Sequence, residues 1–559
     1  VMACVIDSGI DWSHPDFTNV NGRTRIHSIW DQADDSTSVP SPAANDGSRF
    51  GQDFNPSYGA EYLTQDIQQG NVRQKDPNGH GTHVAGTVAS SGQAYKQSSG
   101  VRKYRGVAPN ANIIAVRTPL TTISIIDGVN YCKQVAEAEG KPVVINMSLG
   151  SNFGPHDGTS PFARAVDAIT GEGTSDGTVV VTSAGNSGSP RTPIHTSGSI
   201  AAGDSADVSI SVSSYEPNPG ELNDFYQASL WTYESGPYSL SVYTPQNQDT
   251  LTVSVEETAA PDTLLETPRG AISVESAKSG SARYFQVVAL DAASDSPPEE
   301  GDWTLRLRSE GDQQTEYHGW FGGSSGNLEA AFGNADNKYT IGIPATARSA
   351  IAVGAYVQRN RWSGQLGQYP GGYPRDQTAP FSSRGPTVDD RKKPAITAPG
   401  AFTASAYTDD ASSPLFGSGF TVGDGEHQLV SGTSMSAPVM AGTAALLLQE
   451  NPSLSTNEVR DLVTKTARTD EVVEQATSQG SAWNDTYGFG KLDALKAMTR
   501  LRDDLSSSSV DLLTYEDAFT KQAEAEETVG EGGADRLAVR FTPTKSGAIT
   551  GLYLTLGTS

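Results

Sequence analysis

The sequence contains only two cysteines among its 559 residues, Cys4 and Cys132. Two cysteines cannot make the multi-bridge framework of a small secreted scaffold, and no Cys–His pattern of a metal site is present. Cys4 lies in an apolar run, so we expect it to be a small buried residue rather than a nucleophile. The sequence therefore gives no support to a disulfide scaffold or to a cysteine-ligated metal protein.

Basic residues are also scarce, because 39 Lys and Arg stand against 65 Asp and Glu, for a formal net charge of −26. Nucleic acids and anionic membranes attract basic surfaces, so neither is an expected partner. No apolar run approaches the ~18 residues that a membrane span requires, so no span is expected. The acidity suits a solvated protein outside the cell, whether it reflects a salty habitat or solubility alone.

An initiator methionine is missing, and the chain opens on what reads as a strand already under way, VMACVIDSG. We expect a trimmed piece of a longer precursor, with a signal peptide and a cleaved pro-segment upstream. A secreted or cell-surface location is inferred from this expectation, from the acidic composition and from the resemblance described below.

Short apolar runs alternate with helical patterns from Val1 to about Ala202, and again from Ile341 onward. Buried strands that alternate with helices predict an α/β fold with a mostly parallel central sheet covered on both faces. The strands predicted in the first part are Met2–Ile6, Asn112–Val116, Val143–Met147 and Thr178–Thr182. The predicted helices are His80–Ser90, Ile123–Glu139, Phe162–Thr170, Met435–Glu450, Thr456–Ala467 and Leu492–Leu501.

Between these two parts, helical patterns nearly vanish and strands of period two take over. In Trp303–Arg308 the apolar side chains occupy every second position, and Leu251, Val253 and Val255 repeat the pattern. Such strands between turn-rich segments predict an inserted β-sandwich. We therefore divide the chain into a first catalytic part (1–202), the insert (203–340), a second catalytic part (341–502), and a linker leading into a C-terminal β domain (503–559).

The first chemically suggestive segment is Val5-Ile6-Asp7-Ser8-Gly9, where an apolar strand ends in a carboxylate. Active groups of parallel α/β sheets gather beyond the carboxyl ends of strands. A buried carboxylate there needs a partner, because an isolated buried charge is costly. Taken alone, however, Asp7 is better explained as the cap of a turn.

The second segment places His80 between two glycines at the start of a helix of small residues, Asn78-Gly79-His80-Gly81-Thr82-His83. Flanking glycines let the backbone and partner groups approach the imidazole closely. His83 follows by about one helical turn, and a His-x-x-His pair could bind a metal. No third ligand is evident, so a structural role is the favoured interpretation of His83.

The third segment brings Ser434 to the start of a long apolar helix through Gly432-Thr433-Ser434-Met435. Free N–H groups and the helix dipole at such a start can stabilise an oxyanion. Pro438 is expected in the first turn, where a missing N–H costs nothing. Taken alone, Ser434 would be interpreted as an ordinary N-cap.

Together the three segments resemble the catalytic motifs of the subtilisin-like serine proteases (subtilases, peptidase family S8), which have the same order of Asp, His and Ser. The matching motifs are Asp7-Ser8-Gly9, His80-Gly81-Thr82-His83-Val84-Ala85-Gly86 and Gly432-Thr433-Ser434-Met435-Ser436-Ala437-Pro438. Flanking matches are His14-Pro15-x-Phe17, Gly106-Val107-Ala108-Pro109, Asn146-Met147-Ser148-Leu149-Gly150, Ser183-Ala184-Gly185-Asn186 and Pro344-Ala345-Thr346-Ala347. The resemblance covers about Val1–Ala202 and Ile341–Met498, and it departs at Ser436, where the family more often has Ala.

The resemblance implies the three-layer subtilisin-like fold and a serine endopeptidase that acts on proteins or peptides. It implies that Asp7, His80 and Ser434 form the catalytic triad, and that the Asn186 side chain and the Ser434 N–H form the oxyanion hole. The implied substrate-binding residues are Ser148, Leu149 and Gly150, which would pair with substrate as a strand, and Ser183, Ala184 and Gly185 in the S1 wall.

The implied chemistry requires no cofactor, although family members often bind structural calcium, and Asp31–Asp35 could supply oxygen ligands. Solvated loop charge is the simpler interpretation, so no metal residue is assigned. The alternatives are a catalytically inactive adhesion or binding protein on the same scaffold and, less well supported, a different hydrolase. The insert could be a lid, an exosite or a surface-binding module, with structural stabilisation as the default.

Overall fold

The computed structural model of the chain describes residues 1–34, 56, 58–95, 102–234, 236–246, 250–255, 260–267, 269–279, 282–291, 297–325, 327–364, 367–408, 410 and 420–508. The chain divides into two compact units, Val1–Leu501 and Arg502–Ser559. The predicted C-terminal β domain lies outside the described residues, which end with a helix at Ser508.

The described residues of the first part form six strands and four helices. The strands are β1 (Met2–Asp7), β2 (Ile26–Asp31), β3 (Ala60–Leu63), β4 (Asn112–Arg117), β5 (Val143–Met147) and β6 (Thr178–Ser183). The helices are α1 (Thr64–Gln69), α2 (His80–Ala89), α3 (Thr122–Ala138) and α4 (Pro161–Ile169). Short 3-10 helices lie at Pro15–Phe17 and Gly171–Gly173. The predicted strands and helices of this part are therefore present, with ends shifted by a residue or two.

In the described residues of the middle part, a run of strands without helices follows. Its members are β7 (His195–Ile200), β8 (Ser205–Val212), β9 (Phe225–Thr232), β10 (Tyr238–Tyr243), β11 (Thr250–Val255), β12 (Ala260–Glu266), β13 (Ala271–Ser279), β14 (Ala282–Leu290), β15 (Gly301–Ser309), β16 (Thr315–Ser324) and β17 (Ala330–Phe332).

The last part returns to mixed structure. Its strands are β18 (Ile351–Val357), β19 (Arg361–Gly364), β20 (Gly367–Pro370), β21 (Ile396–Ala401), β22 (Thr403–Ala406) and β23 (His427–Val430). Its helices are α5 (Thr433–Glu450), α6 (Thr456–Lys465), α7 (Glu471–Ala476) and α8 (Ala494–Ser508). In the part of the chain that the structure describes, no helix is both long and apolar enough to cross a membrane.

The central sheet has eight strands in the order β21-β18-β6-β5-β1-β4-β2-β3. All neighbours run parallel except β2 and β3. Alternate residues of β1 enter two separate cores: Ala3 and Val5 face the side covered by α2 and α5, whereas Met2 and Ile6 face the side covered by α3 and α4. The predicted three-layer α/β fold with a mostly parallel sheet is confirmed.

One feature of this core was not predicted. Cys4 of β1 is buried as expected, but it forms a disulfide with Cys132 of α3, across a Cα–Cα distance of 6.0 Å. The expectation that Cys4 is a small buried residue is therefore confirmed, and the disulfide is an addition to it. The partners are 128 residues apart in sequence, and only the packing of α3 against the sheet brings them together.

The inserted strands form two antiparallel sheets, in the orders β11-β10-β15-β8-β17 and β12-β13-β14-β9-β16-β7. Their shared core includes Trp303, Leu305 and Leu307, while Arg306 and Arg308 on the opposite face of β15 are exposed. The period-two prediction for this strand is confirmed. Strand β7 belongs to the second sheet although it precedes residue 203, and the division into domains stays a prediction.

Candidate active site

Asp7 is the last residue of β1, at the carboxyl edge of the sheet between β4 and β5. Its side chain is buried, with 5 % exposed. Its Oδ1 accepts the Ser8 N–H at 2.8 Å and the His80 Nδ1–H at 2.7 Å. Asp7 therefore does more than cap a turn, because it binds an imidazole 73 residues further along the chain.

The glycines beside His80 make this contact possible. Gly79 has a φ of +81° and ends the preceding loop, so that His80 begins helix α2. A Cβ on Gly81 would lie 2.1 Å from the carbonyl oxygen of Gly9, which is closer than any real contact. The close approach that the sequence predicted at this histidine is therefore present.

Asp76 organises the same region, although the sequence did not single it out as a site residue. Its Oδ1 accepts the Ser8 hydroxyl at 2.8 Å and the Gly79 N–H at 3.0 Å. Its Oδ2 accepts the N–H and the hydroxyl of Thr82 at 2.8 and 2.7 Å. The carboxylate thus joins the loop after β1 to the first turn of α2. The available signal was an acidic residue just ahead of a helix start, where the dipole favours negative charge.

The pKa of His80 is raised above its ordinary value by its acidic neighbours. Burial is the largest single influence and lowers this pKa, but the charge and hydrogen bond of Asp7, with the charge of Asp76, outweigh it. A raised pKa means that the imidazole loses its proton at a higher pH than usual. An activity that needs neutral His80 as a base should therefore fall on its acid side from above pH ~6.5.

Asp76→Asn should shift this acid limb of kcat/KM to lower pH. Removing the Asp76 charge removes one of the influences that raise the His80 pKa, so the neutral base persists further into acid. Thermal stability should also fall, because an amide nitrogen cannot accept the Thr82 hydrogen bonds. The measurement is a pH profile of kcat/KM beside a melting curve. An acid limb that stays in place, or moves to higher pH, would show that the Asp76 charge does not raise the His80 pKa.

Ser434 lies in the first turn of α5, but it is not the N-cap. Gly432 occupies that position, and it has no side chain with which to cap. The Ser434 hydroxyl donates instead to the carbonyl of Ser148, at 3.0 Å. The N-cap interpretation that was favoured for Ser434 in isolation is therefore wrong.

The expected position of Pro438 also needs correction. It lies in the second turn of α5, since it is the sixth residue of Thr433–Glu450. Its missing N–H leaves the Ser434 carbonyl, four residues earlier, without an intrahelical donor. The Ser148 hydroxyl takes this place at 2.7 Å. Ser148 and Ser434 are thus joined by two hydrogen bonds, one from each hydroxyl to the other's carbonyl.

Asn186 follows β6 and reaches the same helix start. Its Oδ1 accepts both the N–H and the hydroxyl of Thr433, each at 2.9 Å. Because the carboxamide oxygen accepts these two bonds, the side chain is fixed with its Oδ1 toward Thr433 and its Nδ2 directed away from those two bonds. Asn186 also lines the cavity that contains Ser434.

A cavity of about 590 Å³ brings nearly all of the predicted site residues together. It is lined by Asp7, His80, Ser148, Leu149, Gly150, Ser183, Gly185, Asn186 and Ser434, among others. The exception is Ala184, which is 0 % exposed and packs beneath the cavity with Ile341, Ala345 and Ala352. One wall also contains Gly322 of β16, a residue of the predicted insert for which the sequence indicated no place in the site.

The predicted structural role of His83 agrees with its contacts. Its Nε2–H donates to the carbonyls of Thr403 and Gln428 at 3.1 and 3.0 Å. Burial lowers the pKa of His83 to about 3, so the ring is neutral. Within the described residues, no group of three or more His, Cys, Asp or Glu side chains is placed to hold a metal ion.

The acidic loop considered for calcium is partly described. Asp31 accepts two hydrogen bonds from the Arg117 guanidinium, at 2.9 and 3.1 Å, and Asp34 pairs with Arg73 at 2.9 Å. Asp35 lies outside the described residues. These two carboxylates thus have cationic partners within the protein, and calcium binding stays unassigned.

Known proteins resemble this chain in both sequence and fold. The model of the subtilase family matches residues 1–278 and 307–490. The serine protease AprX of Bacillus subtilis (strain 168) is 26 % identical over 397 residues, which are 69 % of this chain and 52 % of AprX. The minor extracellular protease Vpr of the same strain is 25 % identical over 483 residues, 84 % of this chain and 48 % of Vpr. The chain thus spans about half the length of these curated relatives.

Among solved structures, the CspB protease of Clostridium perfringens is similar in fold. It has a TM-score of 0.66 and 22 % sequence identity, and the alignment covers 90 % of this chain and 93 % of that one. At this identity the likeness concerns the fold alone.

Proposed function

The chain belongs to the subtilase family of serine proteases, and from this premise we propose that it is an endopeptidase with Asp7, His80 and Ser434 as its catalytic triad. The observation that carries the proposal is the 2.7 Å bond between Asp7 and His80 in a cavity that also contains Ser434. A binding protein under no catalytic demand has no need to bury a carboxylate against an imidazole beside a hydroxyl.

In the proposed reaction the Ser434 hydroxyl turns from the Ser148 carbonyl toward the Nε2 of His80. His80 takes its proton as Oγ attacks the scissile carbonyl, and later gives a proton to the leaving amine. The Asp7 carboxylate keeps the proton of the neutral ring on Nδ1 and stabilises the imidazolium that forms. A water molecule then hydrolyses the acyl-enzyme by the same two proton transfers in reverse.

The oxyanion of the tetrahedral intermediate is assigned to the Asn186 amide and the Ser434 N–H. Two bonds to Thr433 hold the Asn186 side chain before substrate arrives, and such preorganised donors are the most effective kind. The substrate would pair as an added strand with Ser148–Gly150, which line the cavity beside Ser434. Main-chain bonds of this kind give affinity with little side-chain selection.

A fluorophosphonate probe tests the proposal directly, since it phosphonylates only a serine that an adjacent base activates. We expect one label, mapped by peptide mass spectrometry to Ser434, in the folded protein and none after denaturation. His80→Ala should lose the label while the circular dichroism spectrum and melting temperature stay near those of the parent. A folded protein that takes no label would favour a non-catalytic binding protein on a subtilase scaffold.

Protein or peptide substrates are proposed on the same grounds, and an extracellular location is proposed because one relative is named as an extracellular protease. A disulfide such as Cys4–Cys132 persists in oxidising surroundings outside the cytosol, which supports this location. The upstream pro-segment stays a prediction.

A further inference from the structure

Lys393 is a buried cation that lies outside the proposed triad. The residue is 6 % exposed, and its Nζ donates to three backbone carbonyls, those of Ala345 at 2.5 Å, Ala347, and Ala350 at 2.9 Å. Three acceptors need three N–H donors, and a lysine offers three only in its charged ammonium form. Burial lowers the pKa of Lys393 well below its ordinary value, whereas bonding to three carbonyls favours the charged form. The ammonium thus acts as an internal cation of this backbone segment.

The three carbonyls belong to one turn, residues 345–350, which leads into β18. Neighbouring peptide groups of this 345–350 turn are also held by charged side chains. The Arg391 guanidinium donates to the Thr346 carbonyl at 2.7 Å. The Asp167 carboxylate accepts the N–H and the hydroxyl of Ser349 at 2.8 and 2.7 Å. Because three carbonyls converge on the ammonium, its loss would remove one donor from each and leave their negative ends facing one another.

The segment just before the turn forms part of the catalytic cavity. Gly342 lines this cavity, and its N–H donates to the Ala184 carbonyl at 2.9 Å. Ile343 and Ser151 exchange both backbone hydrogen bonds, each at 2.9 Å. Ser151 directly follows the proposed substrate strand Ser148–Gly150. The turn begins two residues after Ile343, so a displaced turn would shift this wall of the cavity.

We propose that Lys393 is a positioning residue of the protease, whose ammonium holds the 345–350 turn and thereby keeps Gly342 and Ile343 in place beside the substrate strand. The inference rests on the proposed endopeptidase function and adds to it a residue that acts through the backbone. Lys393 does not line the catalytic cavity, so its effect on peptide binding must pass through the turn. The triad belongs to other segments, so binding should be affected more than the chemical step.

Lys393→Met keeps the approximate length of the side chain and removes its charge and its three donors. We expect KM for an internally quenched peptide to rise about tenfold, with kcat per active site within about threefold of the parent, because the wall that receives the peptide is displaced and the triad is not. Active sites are counted with the fluorophosphonate probe, so that an unfolded fraction does not enter kcat. The melting temperature should also fall, since buried carbonyls lose donors.

Lys392→Met is the matched control, with the same substitution at the preceding residue. Lys392 is exposed, and its ammonium lies 5.9 Å from the centre of the Phe489 ring. This variant should keep both KM and kcat within about twofold of the parent.

Chemical rescue separates the charge of the side chain from its packing. Lys393→Ala lacks three methylenes and the ammonium, which together correspond to propylammonium. We expect added propylammonium to lower the raised KM of this variant about threefold and to raise its melting temperature, because it restores donors to the converging carbonyls. The neutral alcohol 1-propanol has the same chain length and should do neither. Equal effects of the two compounds would contradict a role for the charge.

A merely structural role of Lys393 predicts a different result. A folded and labelled Lys393→Met with an unchanged KM would overturn the inference, while the endopeptidase would stand. If neither variant of Lys393 folds, Arg391→Gln decides, because it removes a second cation from the same turn. A KM raised about threefold would then support the turn as the link to the cavity, and an unchanged KM would overturn it.

Failure of the proposed function gives a separate pattern. In that case the parent neither takes the label nor cleaves any peptide. Fluorescence anisotropy with a labelled copy of the same peptide then decides the inference. Weaker binding by Lys393→Met than by Lys392→Met would support it, and equal binding would count against it.

Discussion

Ser434→Ala is expected to lower kcat for a peptide substrate by about 10⁶-fold, with KM changed little. The variant retains the oxyanion donors and the proposed substrate strand, so it binds peptide but has no nucleophile to acylate. The lost hydroxyl donates a single hydrogen bond, to the Ser148 carbonyl, so the melting temperature should fall by only a few degrees. Stopped and continuous assays with an internally quenched peptide measure kcat and KM, and a thermal melt measures the melting temperature.

Ser436→Ala is the matched control for this variant. Ser436 is a serine of the same helix two residues away, it is fully buried, and its hydroxyl donates to the Thr433 carbonyl at 2.9 Å. It does not line the catalytic cavity, so its loss should leave kcat within about twofold. If Ser434→Ala kept more than about a thousandth of the parent activity, the nucleophile would have to be another residue.

The strands and helices could be predicted, and a triad could be proposed, because their signals are local. A buried strand such as Val143–Met147 shows a short apolar run, and the motifs around Asp7, His80 and Ser434 are contiguous in sequence. The contacts that each side chain makes were harder to predict from the sequence. The assignment of Ser434 as a nucleophile depends on all three motifs together and stays a prediction. The structure shows why the N-cap interpretation fails: the cap position belongs to Gly432.

Features that depend on contacts between distant segments were missed. The Cys4–Cys132 disulfide requires α3 to pack against β1, and no spacing in the sequence predicts that pairing. Asp76 resembles an ordinary loop carboxylate until the loop after β1 is placed beside α2. Its four hydrogen bonds reach Ser8, Gly79 and Thr82, and these residues meet Asp76 only in the folded chain.

The insert illustrates the same limit on a larger scale. Its alternating pattern predicted antiparallel strands and a buried face, and Trp303, Leu305 and Leu307 do lie in that core. The pattern does not show that the opposite face of β9 and β14 turns toward the protease cleft. Trp231 and Tyr284 lie on that face, where exposure to solvent is the usual expectation for one side of an antiparallel sheet.

Asp7→Asn is expected to lower kcat by about 10⁴-fold near neutral pH. Two arrangements of the amide are available, and both impair His80. If the amide nitrogen faces Nδ1, the imidazole must accept there, so that its proton moves to Nε2 and the base cannot take the Ser434 proton. If the amide oxygen keeps both bonds of Oδ1, the imidazolium loses the negative charge that stabilises it.

The pH profile separates Asp7 from a residue that matters only for folding. Asp7 raises the His80 pKa by its charge and by its hydrogen bond, so the remaining activity of Asp7→Asn should show an acid limb at lower pH than the parent. Asp11→Asn is the matched control in the same loop, since among the described residues the Asp11 carboxylate accepts hydrogen bonds only from Ser13 and does not line the catalytic cavity. Its kcat should stay within about twofold, with the acid limb in place. A loss of less than about tenfold in Asp7→Asn, or an acid limb that moved upward, would remove Asp7 from the triad and require another carboxylate to hold the imidazole.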